Sequence, residues 1–315
     1  MAGLAAAVRG ALVGRRREAE VVVAALAAGR HVLLEGPPGT GKSSLLRALA
    51  HAAGLELVLV EGNAELTPAR LVGHHDPSRV LSEGYQASGF VDGPLATALR
   101  EGCLLYLEEI NRIPEETLNL LLMVMAEGEL HVPRLGRIRA APGFRLVAAM
   151  NPFDTVGTAR ISSAVYDRTC RVLVDYQEAA EETTILRREV ARHDTAGGHQ
   201  APPPSGGQAL DPAWMARVVE LVRRTRDHPD VRIGSSVRGA VDLVLVACSL
   251  ARVRGCRPED PEASLDAALA ALSGRIRLEE GATARAEDIV RALWEEVLGP
   301  GGPRGPEDPP SPGPG

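Results

Sequence analysis

Short apolar runs that end in polar residues alternate, in the first part of the chain, with stretches whose apolar residues recur at helical spacing. This alternation is typical of a parallel sheet covered by helices. Five of the runs are predicted strands: HVLLEG from position 31, LELVLVEG from 55, CLLYLEE from 103, FRLVAAMN from 144 and RVLVDY from 171. We therefore predict an α/β domain with a five-stranded parallel sheet.

The segment between the third and fourth predicted strands, PEETLNLLLMVMAEGEL, has the pattern of an amphipathic helix. Pro114 and two acidic residues suit its first turn. Four apolar residues then follow at helical spacing: Leu118, Leu121, Leu122 and Met125. The next segment, HVPRLGRIRAAPGF, predicts a hairpin or a loop.

The composition changes at residues 194–210, DTAGGHQAPPPSGGQAL, which are too rich in glycine and proline to pack. Beyond them only helical periodicity remains, in WMARVVELVRRT, VRGAVDLVLVACSLARVRG and AEDIVRALWEEVL. We therefore predict a core at 1–190, a flexible insertion at 191–210, a small helical domain at 211–298 and a disordered Gly/Pro-rich tail at 299–315.

Composition narrows the class of protein. The 45% apolar content is that of an ordinary globular protein, and the net charge of -6 offers no bulk attraction to nucleic acid or anionic membranes. No apolar run approaches the roughly 20 residues that cross a bilayer. The four cysteines, at positions 103, 170, 248 and 256, do not have the spacing of metal ligands. We expect them to be reduced and mostly buried thiols. We expect a cytoplasmic protein without a membrane segment or a nucleic-acid partner.

The segment GPPGTGKSS, residues 36–44, contains the only lysine of a chain that otherwise uses arginine. Gly36, Gly41, Lys42 and Ser43 fit the phosphate-loop pattern GxxxxGK followed by Ser, between a predicted strand and a predicted helix. Such a loop and the helix N-terminus cradle phosphates. A lysine reaches the β- and γ-phosphates where the wider guanidinium would not fit, and the serine hydroxyl binds Mg²⁺. A glycine-rich turn that only caps a helix is the alternative, and these features together disfavour it.

Two glutamates, Glu108 and Glu109, follow the apolar run CLLYL. By themselves they are more often a strand end that meets solvent. Together with the phosphate loop they predict a carboxylate that holds Mg²⁺, Glu108, and one that polarises the attacking water, Glu109. Open α/β sheets bind their ligands at this carboxyl edge of the strands.

Three further polar residues are weaker candidates for roles in ATP hydrolysis. Asn151, which ends a predicted strand, suits either a sensor of the γ-phosphate or a simple Asn-Pro turn. Arg168 and Arg238 are two of many arginines, most of which lie at protein surfaces. Only their place in a larger pattern gives these two arginines a role.

Four segments together resemble a MoxR-type AAA+ ATPase, most of all its CbbQ/NirQ/NorQ and gas-vesicle GvpN branches. They are VGRRREAEVVVAALAAGRHVLLEGPPGTGKSS, GPLATALREGCLLYLEEINRIPEETLNLLLMVMAEGEL, FRLVAAMNPFDTVGTARISSAVYDR and SSVRGAVDLV. The similarity covers residues 10–295. It implies a five-stranded P-loop core with strand order 5-1-4-3-2, a helical lid domain and assembly into a ring, usually of six subunits.

The resemblance also assigns site residues. Lys42 and Ser43 correspond to the Walker A motif, and Glu108 and Glu109 correspond to the Walker B motif. Asn151 corresponds to sensor 1, and Arg238 corresponds to sensor 2. Arg168 corresponds to an arginine finger that acts on the nucleotide of the neighbouring subunit. Val13 and Gly14 fall where the family's adenine pocket begins. The residues expected to bind the nucleotide are Val13, Gly14, Gly36, Pro37, Pro38, Gly39, Thr40, Gly41, Lys42, Ser43 and Ser44. One position departs from the family, because Glu108 stands where Walker B usually has aspartate.

The sequence thus predicts a ring-forming ATPase that uses ATP and Mg²⁺ to remodel or activate a client protein. The resemblance suggests a partner with a von Willebrand factor A domain. Two alternatives stay open: a P-loop kinase that phosphorylates a small molecule, and a nucleotide-gated structural module with little turnover. The Glu108 departure keeps the second of these open.

Overall fold

A computed structural model of the chain describes residue 8 and residues 12–153, 162–196 and 210–299, with the backbone alone at 194–196. The chain divides into two compact units, Met1–Asp175 and Tyr176–Gly315. In the described residues, no helix is both long enough and apolar enough to cross a membrane.

The first unit is built on a parallel five-stranded sheet, as predicted. Its strands are β1 (His31–Glu35), β2 (Leu57–Glu61), β5 (Leu104–Glu108), β8 (Arg145–Met150) and β9 (Thr169–Leu173). They lie in the order β2-β5-β8-β1-β9, which is the predicted order 5-1-4-3-2 when the five are numbered along the chain. Strand β1 therefore lies between β8 and β9, so the chain segment that leaves its carboxyl end lies between those that leave β8 and β9.

Both faces of this sheet are buried, so the strands are apolar almost throughout. Successive side chains point to opposite faces, and two separate cores result. One core contains Leu33, Leu105, Leu107, Leu146 and Ala148. The other contains Val32, Leu34, Leu104, Tyr106, Val147 and Ala149.

The helices of the first unit cover the sheet and connect its strands. They are α1 (Arg16–Ala27), α2 (Lys42–Ala53), α3 (Pro68–Val72), α4 (Pro77–Glu83), α5 (Pro94–Glu101), α6 (Glu115–Glu127) and α7 (Ser163–Arg168). Helix α6 confirms the predicted amphipathic helix, with Leu118, Leu121 and Met125 buried and Leu122 partly buried.

Two small antiparallel hairpins complete this unit. Strands β6 (Glu129–Val132) and β7 (Gly136–Arg139) pair where the sequence predicts a hairpin or a loop. Strands β3 (Gly73–His75) and β4 (Phe90–Asp92) pair in a region for which the sequence made no prediction. These two strands have only three residues each, too few for a visible alternation of apolar and polar positions.

The second unit is mainly helical and has its own apolar core. Its helices are α8 (Ala179–Ala196), α9 (Pro212–Asp227), α10 (Val237–Arg254), α11 (Pro261–Leu272) and α12 (Ala286–Val297). Helices α9, α10 and α12 match the predicted periodic segments. Helix α11 and the short ribbon of β10 (Val231–Ile233) with β11 (Arg277–Leu278) were not predicted. Helix α11 is rich in alanine and buries mostly small side chains, so its buried and exposed positions differ little in hydrophobicity along the sequence.

The boundary between the units falls after Asp175, earlier than the predicted end of the core at residue 190. Helix α8 explains the difference, because its buried Leu186 and Val190 belong to the core of the second unit. This helix also runs to Ala196, past the predicted start of the insertion at 191. The rest of that insertion up to residue 209, and the tail from residue 300, lie outside the described residues.

Candidate active site

The predicted phosphate loop connects β1 to α2, at the carboxyl end of β1. A side chain at Gly36 would place its Cβ only 2.0 Å from the carbonyl oxygen of Val174, so only glycine fits. Gly39 and Gly41 have positive φ angles of 75° and 84°, a conformation that glycine adopts without strain. The backbone of this loop therefore requires the glycines that the motif supplies.

Lys42, the first residue of α2, folds back over the loop. Its Nζ donates hydrogen bonds to the carbonyl oxygens of Gly36, at 2.7 Å, and Pro37, at 2.8 Å. The ammonium group thus lies along the loop that would surround a phosphate chain. The side chain of Thr40 is also held inside the loop, where Oγ1 donates to the same Pro37 oxygen at 3.0 Å.

Arg15 fastens the phosphate loop from outside and was not predicted as a site residue. It is 5% exposed, and its Nη2 donates to the carbonyl oxygen of Thr40 at 2.8 Å and to that of Asp175. Its Nη1 pairs with Glu18 at 2.8 Å. Since Val13 and Gly14 directly precede Arg15, the segment predicted to contact adenine is tied to the loop predicted to contact phosphate.

Ser43 and Glu108 lie side by side, as the predicted Mg²⁺ site requires. The Ser43 hydroxyl donates to Oε1 of Glu108, and the hydroxyl of Tyr106 donates to Ser43 Oγ at 3.3 Å. Burial raises the pKa of Tyr106 above its usual range, and the nearby Glu108 carboxylate adds to this, while the hydrogen bond with Ser43 opposes it. Tyr106 therefore stays a neutral donor. A hydroxyl and a carboxylate are oxygen ligands of the kind that Mg²⁺ prefers, so the residues present fit this ion.

Glu109 has a backbone conformation that is rare for a residue with a side chain. Its φ and ψ angles are 52° and 45°, in the left-handed region. Such strained residues cluster at active sites. Its Oε2 lies 3.0 Å from Nη1 of Arg112, and about two fifths of each side chain is exposed. The predicted catalytic carboxylate is thus held at the surface, one residue beyond the carboxylate that lies beside Ser43.

Gly62, which directly follows the neighbouring strand β2, supports this strained turn. Its N–H donates to the carbonyl oxygen of Glu108 at 2.8 Å. A Cβ at Gly62 would lie 2.6 Å from the carbonyl oxygen of Glu109, which leaves no room for a side chain. The sequence gave no reason to single out this glycine, because its role depends on the pairing of β2 with β5.

Asn151 lies beside the start of the phosphate loop. It follows Met150, whose carbonyl oxygen accepts a hydrogen bond from the N–H of Gly36 at 3.2 Å. The Oδ1 of Asn151 accepts from the N–H of Phe153 at 3.1 Å, so the residue also forms the turn that the sequence offered as its alternative role. Its place at this edge suits a contact with bound nucleotide, and its turn fixes the side chain there.

Arg168 ends the short helix α7, and 35% of its side chain is exposed. Its Nη1 donates to the carbonyl oxygen of Ala164 at 3.1 Å and lies 3.6 Å from Asp167. Among the described residues, none of these contacts links Arg168 to the phosphate loop. The geometry therefore leaves its predicted role on a neighbouring subunit as a prediction.

Arg238 belongs to the second unit. It is the second residue of α10, and its side chain is exposed. Its predicted contact with nucleotide likewise stays a prediction.

The family model that matches the chain is the AAA domain of the dynein-related subfamily, over residues 31–169. These residues, less than half of the chain, match an AAA domain. The matched range begins with β1 and ends with the first residue of β9, so the AAA domain contains Lys42, Ser43, the glutamate pair, Asn151 and Arg168. The predicted resemblance to AAA+ ATPases is confirmed over this range.

Relatives of this AAA domain include both uncharacterised proteins and gas vesicle ATPases. An uncharacterised protein of Staphylococcus epidermidis is 34% identical over 167 residues, which cover 52% of this chain and 63% of that protein. The gas vesicle ATPase GvpN of Haloferax mediterranei is 29% identical over 223 residues, which cover 66% of this chain and 59% of that protein. The chain thus spans less than two thirds of the length of these curated relatives.

A solved structure extends the likeness beyond the AAA domain. A candidate ATPase from Cytophaga hutchinsonii, at 21% identity, superposes with a TM-score of 0.50 over 93% of each chain. At this identity the match shows the fold alone. The fold includes the helical unit that follows the AAA domain.

Proposed function

We propose that this chain is an ATPase that hydrolyses ATP to ADP and phosphate in its AAA domain. The observation that carries the proposal is the contact of Ser43 with Glu108 beside the phosphate loop, followed directly by the strained, partly exposed Glu109. The GvpN relatives, which are named as ATPases, support the same reaction.

Binding would use the phosphate loop 36–44, with Lys42 turned from its carbonyl partners toward the β- and γ-phosphates. Val13 and Gly14 would contact the adenine end. Ser43 and Glu108 would hold Mg²⁺, which neutralises charge on the phosphate oxygens when bound. The chain's own part here is to hold one hydroxyl and one carboxylate together before any ion arrives.

The chemical step would begin with a water molecule that donates a hydrogen bond to the Glu109 carboxylate, while Asn151 orients that water. The water oxygen forms a bond to the γ-phosphorus as the bond from this phosphorus to the β–γ bridging oxygen breaks. ADP leaves with the electron pair of that bond. The proton of the water passes to Glu109 and from there to solvent.

Phosphate release tests this proposal and separates it from a kinase. The parental chain should release phosphate from ATP with Mg²⁺ and without any acceptor molecule. Lys42→Ala should neither bind nor hydrolyse ATP, because the triphosphate loses its cation inside the loop. His51→Gln, an exposed change on the same helix, is the matched control and should behave as the parent. ADP formation that needs an added acceptor and yields no free phosphate would refute hydrolysis as the reaction and support the kinase, because a kinase transfers the γ-phosphoryl group to the acceptor.

The active form would be a ring of six subunits in which Arg168 contacts the nucleotide of the next subunit. The partial exposure of Arg168 supports this arrangement. An arginine that acts in this way raises turnover by roughly 10³ to 10⁵. Turnover per subunit should therefore rise with protein concentration.

Mixing two inactive variants tests the ring. Arg168→Ala lacks the arginine and Glu109→Gln lacks the base, so a mixed interface can pair an intact Glu109 with an intact Arg168. Activity should reappear in the mixture. Mixed rings that form and stay inactive would contradict catalysis across the interface, and concentration-independent turnover by a monomer would contradict the ring itself.

The role of the ring would be to remodel or activate a client protein in the cytoplasm, with a von Willebrand factor A domain as the class of partner. The replacement of aspartate by Glu108 favours a second candidate, a nucleotide-gated module with little turnover. Single-turnover hydrolysis separates the two, because the module would bind ATP and leave it intact.

A further inference from the structure

A fully buried carboxylate lies near the start of the second unit. Glu182, on the first turn of α8, is 1% exposed and is held by two arginines of α9. Its Oε1 accepts from Nη2 of Arg226 at 2.7 Å, and its Oε2 accepts from Arg226 and Arg223, each at 3.2 Å. A buried carboxylate with two cationic partners fixes the geometry of the groups around it.

Arg226 uses its remaining surface for two further contacts. Its guanidinium lies over the ring of Tyr176, 3.7 Å from the ring centroid. Its Nε donates to the carbonyl oxygen of Ser235 at 2.7 Å. The side chain of Arg226 thus contacts three places in the second unit: Glu182, Tyr176 and the loop that precedes α10.

That loop is packed against the end of α9 without spare room. Ser235 is 1% exposed, and its N–H donates to Oγ1 of Thr225 at 2.9 Å. A Cβ at Gly234 would lie 2.6 Å from the Cα of Arg226, and one at Gly239 would lie 2.2 Å from the Oγ of Ser235. The start of α10 is therefore fixed by the loop that Arg226 holds.

Arg238 is the second residue of the helix that this loop begins. We infer that Arg226, clamped by Glu182 and Tyr176, is a positioning residue that sets the direction in which Arg238 leaves the start of α10. The inference rests on the proposed function and on the predicted sensor 2 role of Arg238, in which Arg238 would contact bound nucleotide. It adds to that function a buried arginine that never touches the nucleotide.

The substitution Arg226→Lys isolates this role. Lysine keeps a positive charge for Glu182 but loses the planar group that stacks on Tyr176 and donates to Ser235 at the same time. We expect turnover to fall about tenfold while the variant stays folded and still binds ATP. Arg224→Lys is the matched control, because Arg224 lies on the same helix and pairs only at the surface, with Glu220 and Glu296, in the contacts described. It should keep parental turnover.

A double-mutant cycle with Arg238→Ala decides whether Arg226 acts through Arg238. The inference predicts that Arg226→Lys/Arg238→Ala hydrolyses ATP no more slowly than Arg238→Ala alone. Losses that multiply, with Arg238→Ala itself defective, would overturn the inference and leave the proposed function intact. Parental turnover by Arg238→Ala would overturn the role of Arg238 and the inference with it.

The same cycle with Tyr176→Leu covers the case in which Arg226→Lys does not fold, as judged by circular dichroism. This change removes the stacking surface and leaves the buried ion pair in place. The predicted pattern is the same. Tyr176→Leu alone should lower turnover, but it should cause no further loss when it is combined with Arg238→Ala. A loss that persists in the Arg238→Ala background would overturn the inference.

Discussion

The substitution Gly62→Ala tests how closely the turn at Glu109 is supported by its neighbours. A methyl group at Gly62 would lie 2.6 Å from the carbonyl oxygen of Glu109 and 2.7 Å from that of Glu108. It would also lie 2.9 Å from the side chain of Ile113. Because two of these three obstacles are backbone atoms, a change of rotamer cannot relieve the contact.

The size of the effect follows from these distances. A methyl carbon does not approach a carbonyl oxygen much closer than 3.0 Å, so the Glu109 oxygen must move by at least about 0.4 Å. A misplacement of about 1 Å can cost 10²-fold in rate, so we expect turnover to fall about tenfold. Overpacking of this kind costs about 1–3 kcal/mol of folding stability. ATP affinity should be retained, because the phosphate loop leaves a different strand, β1.

The assay compares ATP affinity, turnover and the free energy of unfolding for Gly62→Ala and Gly89→Ala. Gly89 is a matched control, since its added Cβ would meet Arg79 at an ordinary distance of 3.5 Å. We expect parental turnover from the control. A folded Gly62→Ala variant with parental turnover would refute the reasoning, and an equal loss in Gly89→Ala would show that the effect is not specific to the turn.

Two further predictions concern the support of the AAA domain. Arg15→Met should lower the free energy of unfolding by about 1.5–3 kcal/mol and weaken ATP binding, because the Thr40 carbonyl oxygen loses a buried charged donor. Urea unfolding and ATP titration measure the two effects. The control is Arg16→Met, at an exposed neighbour, which should change the free energy of unfolding by less than about 1 kcal/mol. His31 accepts a hydrogen bond from the N–H of Leu146 at 2.9 Å, and burial, with Arg145 nearby, lowers its pKa from 6.5. The unfolded chain therefore binds this proton first, so the stability should fall as the pH drops below about 6.5, and the fall should be smaller in His31→Asn, which keeps an acceptor and does not titrate. An equal pH dependence in the two proteins would contradict this role of His31.

The parts of the fold that the sequence predicts are those with local signals. Each strand of the central sheet is a run of apolar residues ended by a polar one, and the phosphate loop is a contiguous motif. The strand order, by contrast, came from the family resemblance and not from periodicity. The glutamate pair was recognisable because the loop gave it a context that two adjacent acids lack on their own.

The parts that were missed depend on contacts between distant positions. Arg15 lies in the cluster GRRR and looks like its exposed neighbours Arg16 and Arg17, because only the folded chain brings Thr40 and Asp175 to its guanidinium. Gly62 matters only because β2 pairs with β5. The early end of the first unit was missed because α8 packs with helices that follow it by many residues, which composition does not reveal.

Glu109→Gln provides the most direct test of the proposed ATPase. The amide keeps the size and shape of the side chain but cannot accept a proton from water. ATP binding and single-turnover phosphate release should be measured on the same preparation. The account predicts that ATP and Mg²⁺ bind as in the parent while phosphate release slows by about 10² or more. Phosphate release at the parental rate would contradict it, because the base that activates water would then lie elsewhere.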